Sequence, residues 1–245
     1  AGGRRVVLGG GSNVLFPDEG YDGTVIFTTK LCRLSADGCV LSAQAGVTLS
    51  ALARKALDCG LGGLAFAYGI PGTVGGGVYM NAGAYGGQIA DCLERATLLD
   101  DTGEMLVLPA SELALGYRSS ALMDGGLTLL SADFRLAPAS PESIRAEMDG
   151  NMRARREKQP LEYPSCGSTF KRPPGHFAGA LIEQCGLKGY TVGGAQVSEK
   201  HAGFVINRGG ATSADVLALI GHIQRVVREK TGVSLACEVR IIENE

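Results

Sequence analysis

The sequence predicts an α+β fold, and its element pattern and its glycine content support that prediction. Short apolar and β-branched runs dominate the first half, whereas strand and helix patterns alternate later. The 245 residues include 37 glycines, about twice the ordinary share. Collagen would need glycine at every third position, and disorder would need a poorer apolar content than the 45% present. The glycines therefore belong to a folded chain.

Strands are predicted where a short apolar run is bounded by turn-forming residues. In chain order they are Arg4–Leu8, Thr24–Phe27, Cys39–Ala43, a hairpin of Leu93–Leu99 with Glu104–Leu108, Leu127–Leu136 and a closing strand, Val233–Ile242. Helices are predicted where apolar residues recur at helical spacing. They are Leu49–Asp58 before Gly60, a charged helix from Ser140-Pro141 to about Lys158, and a helix that Thr212 and Asp215 cap and Gly232 ends.

Composition excludes several classes of protein. The net charge of −2 does not favour nucleic acid or an anionic membrane, and no apolar run has the length of a membrane span. Seven cysteines without a CxxC pair indicate free thiols in a reducing, cytoplasmic compartment, and no metal site is predicted. Because the chain begins at Ala1 without methionine, we expect an upstream segment to be missing.

Two glycine-rich stretches are candidates for ligand binding. Gly9-Gly10-Gly11-Ser12-Asn13 follows a strand, so its backbone N–H groups can converge on an anion such as a pyrophosphate. It lacks the spacing of a Rossmann fingerprint or a P-loop, and a plain glycine turn is the alternative. The second stretch runs from Tyr68 to Gly86, where bare backbone can pack against a large flat ligand. A purely structural role there must account for the entropic cost of so many glycines.

A third stretch, from Tyr163 to Pro173, places Ser168 between Gly167 and the cationic pair Lys171-Arg172. Ser168 is a candidate proton donor, nucleophile or helix cap, but no GxSxG motif surrounds it. Cys166 is either a reactive thiol or an inert one.

The motifs LGGGSN, GIPGTVGGGVYMNAGAYG, YRSS, GSTFKRP and EVRI follow one another in this order. From about Arg4 to Ile242 the chain thereby resembles the UDP-N-acetylmuramate dehydrogenase family, also called UDP-N-acetylenolpyruvoylglucosamine reductases. The resemblance implies a two-part FAD-binding domain of the PCMH-type flavin fold and a separate α/β substrate-binding domain. It implies FAD as cofactor, NADPH as hydride donor, and reduction of UDP-N-acetylglucosamine enolpyruvate to UDP-N-acetylmuramate for peptidoglycan synthesis. The stretch from Asp133 to Ser165 resembles the branch that lacks a tyrosine-bearing insertion.

The resemblance also implies a domain division and a set of cofactor-binding residues. Residues 1–29 together with the closing segment 233–245 would form the first FAD subdomain, which is truncated. Residues 30–150 would form the second FAD subdomain, and residues 151–232 would form the substrate-binding domain. The FAD pyrophosphate would lie at Gly9, Gly10, Gly11, Ser12 and Asn13. The flavin would be lined by Gly69, Ile70, Pro71, Gly72, Thr73, Gly75, Gly76, Ala82, Gly83, Ala84, Tyr85 and Gly86, with Ser131 and Ala132 nearby.

Three residues match the catalytic residues of the family. Arg118 would stabilise the negative charge that develops on the substrate, Ser168 would deliver a proton to carbon, and Glu238 would give electrostatic or acid support. A surface salt bridge for Arg118 and an exposed strand carboxylate for Glu238 are the structural alternatives.

The substrate matches are Lys171, Arg172 and His201, with a purely structural histidine as the alternative at position 201. The run Arg153, Arg155, Arg156 and Lys158 is interpreted as a solvated helix face in preference to a nucleotide clamp. Two other functions stay open, namely another FAD-dependent oxidoreductase on the same fold and a non-catalytic nucleotide-sugar-binding fragment.

Overall fold

The computed structural model describes residues 3–244. In chain order its elements are β1 (Arg5–Leu8), β2 (Val14–Leu15), β3 (Thr24–Phe27), β4 (Leu34–Asp37), β5 (Val40–Gln44), α1 (Leu49–Asp58), β6 (Leu61–Gly62), α2 (Val74–Tyr79), β7 (Gly83–Ala84), β8 (Gly87–Gln88), β9 (Leu93–Asp100), β10 (Met105–Pro109), β11 (Leu127–Arg135), β12 (Ala137–Pro138), α3 (Pro141–Lys158), β13 (Ser165–Ser168), α4 (Ala178–Gln184), β14 (Thr191–Val192), β15 (Ala195–Val197), β16 (Phe204–Asn207), α5 (Ser213–Thr231) and β17 (Arg240–Ile241). Short 3-10 turns at Thr28–Lys30, Ala65–Ala67, Ile89–Asp91, Ala110–Glu112 and Ala121–Asp124 connect them.

The chain divides into two compact units. Among the described residues, the first unit contains 3–11 and Thr24–Arg155, and the second contains Ser12–Gly23 and 156–244. The three-part division that the resemblance implies stays a prediction, because packing alone does not assign ligands to its parts.

The first unit is built on an antiparallel five-stranded sheet in the order β10-β9-β11-β5-β4. Helix α1 covers this sheet with the apolar stripe that its sequence predicts: Leu49, Leu52, Ala53, Ala56 and Leu57 are all buried. The helix begins where the Thr48 side chain accepts a hydrogen bond from Ala51 N. Strands β1 and β3 form a separate parallel pair, in which Leu8 is buried.

The second unit has its own apolar core beneath a four-stranded antiparallel sheet in the order β13-β16-β15-β14. Helix α5 supplies Leu219, Ile220, Ile223 and Val227 to this core. Its predicted ends are confirmed, because Thr212 and Asp215 form a reciprocal capping box and Gly232 adopts φ +74°.

The structure differs from the sequence prediction at two places. The glycine-dense stretch from Tyr68 to Gly86, where no helix was predicted, contains α2 over Val74–Tyr79, in which Gly77 packs closely on Leu49. The closing strand is also shorter than predicted, since only Arg240–Ile241 is a strand, paired in parallel with β2. The backbone at 236–238 forms hydrogen bonds with 169–171, whereas the backbone at 240–242 forms them with 13–15. Because the partner changes along the segment, no continuous strand ladder forms.

Candidate active site

The first glycine stretch of the first unit packs against Thr73. A Cβ atom added to Gly9 would overlap the Thr73 hydroxyl oxygen, and one added to Gly10 would contact the Gly72 Cα at 3.6 Å. Thr73 is 3% exposed, and its Oγ1 has no hydrogen-bond partner among the described residues. A buried hydroxyl in that state costs free energy unless a ligand satisfies it. The predicted pyrophosphate and flavin stretches therefore meet at a polar atom that suits a bound phosphate or other acceptor.

A cavity of about 470 Å³ opens beside this contact. Its volume is within the usual range for small-molecule sites. Its lining includes three of the predicted FAD-binding residues, Gly10, Gly72 and Thr73, together with Thr29, Cys32, Leu34, Gly46, Val47, Thr48 and Ala51. The residues present thus fit the phosphate part of a dinucleotide cofactor in backbone approach and in polar chemistry, with open space beside them.

The glycines of α2 have different surroundings. Gly75 lies against Ala45, where an added Cβ would come within 3.2 Å of the Ala45 carbonyl oxygen. Gly76, in contrast, is exposed, and an added Cβ there would meet no atom within 4 Å. Part of the glycine excess therefore serves packing inside the unit, and only the open positions present bare backbone to a ligand.

The turn that carries Arg118 lies against the predicted flavin-lining residues. Arg118 Nη2 donates a hydrogen bond to Gly83 O at 3.0 Å, and its guanidinium lies 5.1 Å from the Tyr117 ring centroid. Gly116 and Ser119 exchange backbone hydrogen bonds across the turn, and Arg118 adopts φ +53°. A left-handed conformation at a non-glycine residue costs about 1–3 kcal/mol, and such strain concentrates at functional sites.

Asn81 is a residue that the sequence interpretation quoted but did not select. It is 1% exposed and bridges the turn to the β7–β8 hairpin. Its Nδ2 donates to Gly116 O at 2.9 Å and to Gln88 Oε1 at 3.1 Å, while its Oδ1 accepts from Ala90 N at 2.9 Å. Its φ of +41° is tolerated by asparagine better than by most residues.

The two predicted residues of β11 differ in accessibility. Ser131 is half-buried, whereas Ala132 is 1% exposed and belongs to the core of the first unit. Ala82 and Ala84 are half-buried, and Tyr85 and Gly86 are exposed at the tip of the β7–β8 hairpin. Ala132 thus packs in the apolar core, whereas the residues of the hairpin are accessible to a ligand.

Arg155 contradicts the interpretation of its basic run as a solvated face. Arg153, Arg156 and Lys158 are exposed, but Arg155 is 6% exposed within the first unit. The signal that could have found it is its spacing: Arg155 continues the stripe of Ile144, Met148 and Met152 at intervals of three and four residues.

In the second unit, two of the predicted catalytic residues lie on adjacent segments. Glu238 N donates to Thr169 O at 2.8 Å, next to Ser168 at the end of β13. Asn13 joins the same group, because its Nδ2 donates to Glu238 O at 3.1 Å and its carbonyl oxygen accepts from Arg240 N at 3.0 Å. Ser168 and Glu238 are both half-buried. Positions far apart in sequence are thus brought together here.

Cys166 is held close to this group. Its thiol donates to Val14 O at 3.3 Å, and burial raises the pKa of the thiol. Since the thiolate is the reactive form, this environment disfavours the reactive-thiol alternative.

The three predicted substrate residues have different environments. Lys171 is half-buried and donates its backbone N–H to Ala236 O, and the exposed Arg172 lies 3.8 Å from the Phe177 ring centroid. His201 Nδ1 accepts from Gly203 N at 3.1 Å, and burial lowers the pKa of the imidazole. Any contact of His201 with substrate would therefore use Nε2.

Residues 3–244 contain neither a metal-binding cluster nor a membrane-spanning helix. No cluster of three or more His, Cys, Asp or Glu side chains there is arranged to hold a metal ion. Nor does this part of the chain contain a helix whose length and apolar character would let it cross a membrane.

Comparison with known proteins defines first the class and then the family. Residues 2–109 match the FAD-binding domain family, and residues 159–242 match the C-terminal domain of UDP-N-acetylenolpyruvoylglucosamine reductase. The architecture and the glycine cradle thus belong to an FAD-dependent oxidoreductase with a separate C-terminal domain.

Curated proteins with the name UDP-N-acetylenolpyruvoylglucosamine reductase are similar over most of the chain. The protein of Listeria monocytogenes serotype 4a is 50% identical over 236 residues, which are 96% of this chain and 79% of that protein. A Streptococcus pneumoniae protein is 52% identical over 237 residues, or 97% of this chain and 79% of its own. The chain therefore belongs to the UDP-N-acetylenolpyruvoylglucosamine reductase family.

A solved structure agrees. The crystal structure of UDP-N-acetylenolpyruvylglucosamine reductase from Thermus caldophilus superposes with a TM-score of 0.87 at 37% identity, covering 99% of this chain and 87% of that one. The predicted family, the α+β fold with its FAD-binding and separate C-terminal domains, and FAD as cofactor are confirmed.

Proposed function

We propose that this protein catalyses the NADPH-dependent, FAD-mediated reduction of UDP-N-acetylglucosamine enolpyruvate to UDP-N-acetylmuramate, a step of peptidoglycan precursor synthesis. The observation that carries the proposal is the 50% identity to UDP-N-acetylenolpyruvoylglucosamine reductases across 96% of the chain, which includes both matched domains. The product, UDP-N-acetylmuramate, and the hydride donor, NADPH, are those that the family resemblance implies.

The FAD would be held by backbone and by the Thr73 hydroxyl. Gly9, Gly10 and Gly11, with Ser12 and Asn13, supply N–H groups for the pyrophosphate, and the buried Thr73 Oγ1 supplies a hydroxyl that is otherwise unsatisfied. The stretches 69–76 and 82–86 would line the flavin, with Ser131 nearby. Bound by these residues, FAD would supply hydride transfer from NADPH to the enol ether.

Arg118 would act on the substrate anion. Addition of hydride to the enolpyruvyl group leaves negative charge that spreads onto its carboxylate, and a fixed cation stabilises such charge as it develops. The hydrogen bond to Gly83 and the left-handed turn hold the Arg118 side chain in place before reaction, so less reorganisation is needed.

Ser168 would donate the proton that completes the reduction. Its hydroxyl is half-buried at the end of β13, and a hydroxyl is a competent general acid towards a carbanion-like carbon. Glu238, whose backbone is bonded to the neighbouring Thr169, would support that transfer electrostatically.

Lys171 and Arg172 would bind the diphosphate of the substrate, since cations next to a pocket suit phosphate, and His201 would add a contact through Nε2.

We also propose that the chain divides into three parts, namely 1–29 with 233–245, 30–150 and 151–232. A cytoplasmic location is consistent with free thiols at all seven cysteines, two of which are exposed. Nucleic acid and membranes are not proposed as partners.

Stopped-flow absorbance of the FAD-loaded protein tests the function in two stages. NADPH should bleach the flavin absorbance, and the enolpyruvyl substrate added next should restore it in a single turnover. Bleaching by NADPH without recovery by this substrate would contradict the proposed reaction and leave another FAD-dependent oxidoreductase. A protein that is colourless and rebinds no added FAD would indicate the non-catalytic fragment.

A further inference from the structure

Arg155 is a cation buried among residues of the first unit that the proposed function assigns to the flavin. It is 6% exposed, whereas other arginines of α3, Arg145 and Arg153, are exposed. The burial follows from its place on the inward stripe of α3, where Ile144 and Met148 enter the apolar core. No role for Arg155 follows from the family motifs quoted above.

Two flavin-assigned positions adjoin the Arg155 guanidinium. Its Cζ lies 5.5 Å from the Tyr85 ring centroid. Gly69 is also a neighbour, because an added Cβ there would come within 3.3 Å of Arg155 Nε. Gly69 adopts φ +82° and Tyr85 adopts φ +52°, so both neighbours have left-handed backbone. The guanidinium thus contacts segments that are 16 residues apart in sequence and that are both assigned to the flavin.

The charge of Arg155 persists at this position at neutral pH. Burial lowers the pKa of the guanidinium, and the Tyr85 hydroxyl acts in the opposite direction, but arginine stays protonated in proteins. Removing a cation from water is unfavourable unless polar or charged groups compensate. A protein that keeps such a charge next to a cofactor site can use it to change the properties of the cofactor.

We propose that Arg155 is a positioning residue that orders the flavin-lining segments at Gly69 and Tyr85 and whose fixed charge favours reduced FAD over oxidised FAD. Reduction adds electrons to the isoalloxazine ring, and a nearby cation stabilises the more negative state. The inference rests on the proposed function, because it needs FAD at these segments. It adds a residue that sets the driving force of hydride transfer through the cofactor.

The test compares the binding of oxidised and reduced FAD by four forms of the protein. In Arg155→Met the charge is removed and the apolar stem is kept, and in Arg155→Lys the charge is kept without the planar group. Arg145→Met removes an exposed arginine from the same helix as a matched control. Dissociation constants for both redox states, or the midpoint potential of the bound FAD, are measured by anaerobic titration with a dye of known potential.

We expect Arg155→Met to lower the preference for reduced FAD about tenfold, which corresponds to a potential roughly 30 mV more negative for a two-electron couple. Arg155→Lys should retain most of the preference, and Arg145→Met should leave it within about twofold, because an exposed charge is screened by water and salt. A purely structural role would weaken both redox states equally and leave their ratio unchanged.

An unchanged ratio in an Arg155→Met protein that binds FAD would overturn the inference, as would an equal shift in Arg145→Met. If circular dichroism shows that Arg155→Met does not fold, Arg155→Gln replaces it, since its amide keeps a polar group at the buried position. Failure of the wild-type protein to bind FAD would contradict the proposed function instead. The two failures are therefore distinguishable.

Discussion

Replacing Asn81 with alanine is expected to destabilise the first unit more than an ordinary point substitution does. Asn81 is 1% exposed and makes three hydrogen bonds, to Gly116 O, Gln88 Oε1 and Ala90 N. Each such bond contributes about 1 kcal/mol net, which gives about 3 kcal/mol for the set. Alanine would also have to adopt φ +41°, at a further cost of about 1 kcal/mol. The expected loss is therefore about 4 kcal/mol.

Urea unfolding followed by circular dichroism measures this loss, since the protein has no tryptophan to report by fluorescence. Asn81→Gly removes the same hydrogen bonds but accepts the left-handed backbone, so it should recover about 1 kcal/mol relative to Asn81→Ala. Asn151→Ala is a matched control, because Asn151 makes a single long bond of 3.4 Å to Ala65 O. A loss below about 1 kcal/mol in Asn81→Ala, or one no larger than in Asn151→Ala, would refute the reasoning.

Three further predictions concern catalysis, acid stability and thiol reactivity. Ser168→Ala should reduce the rate of substrate-driven flavin reoxidation by about 10²–10⁴-fold while leaving reduction by NADPH unchanged, and normal turnover would remove Ser168 from its role. Backbone hydrogen bonds hold the pKa of Asp215 below its usual value of 3.8, so its contribution to stability is present above that value and is lost as pH falls through the lower folded value. Asp215→Asn should therefore flatten the acid limb of a plot of Tm against pH, and an unaltered acid limb would contradict this. Burial raises the pKa of Cys92 to about 12, so a thiol reagent should modify the exposed Cys32 and Cys59 rapidly and Cys92 only on unfolding, as peptide mass spectrometry would show.

Elements with local causes were predictable from sequence. Helix α1 has the predicted bounds, because its apolar stripe lies within the helix and its cap, Thr48, directly precedes it and accepts a hydrogen bond from Ala51 N in the first turn. Helix α5 likewise follows from the Thr212–Asp215 box and from Gly232. In each case the interactions that start and stop the helix involve residues within four positions of each other.

Elements that depend on distant partners were not predictable. Helix α2 forms despite three glycines, because its first turn is fixed by Val74 N to Val47 O and Gly75 N to Ala45 O, both at 2.8 Å. The segment from 233 to 242 fails to be one strand because its partners change along its length. Arg155 belongs to a run whose composition is typical of a solvated face, but tertiary packing, with Gly69 and Tyr85 among its neighbours, buries it.

By itself, the sequence determined the family, the α+β class and the order of the glycine-rich and polar motifs, because these depend on residue identity and spacing. Only the tertiary structure decided which residues meet. Arg118 contacts Gly83 across 35 positions, and Asn13 contacts Glu238 across 225. The physical reason is that hydrogen bonds and burial act through space, and no local propensity specifies a partner at such a separation.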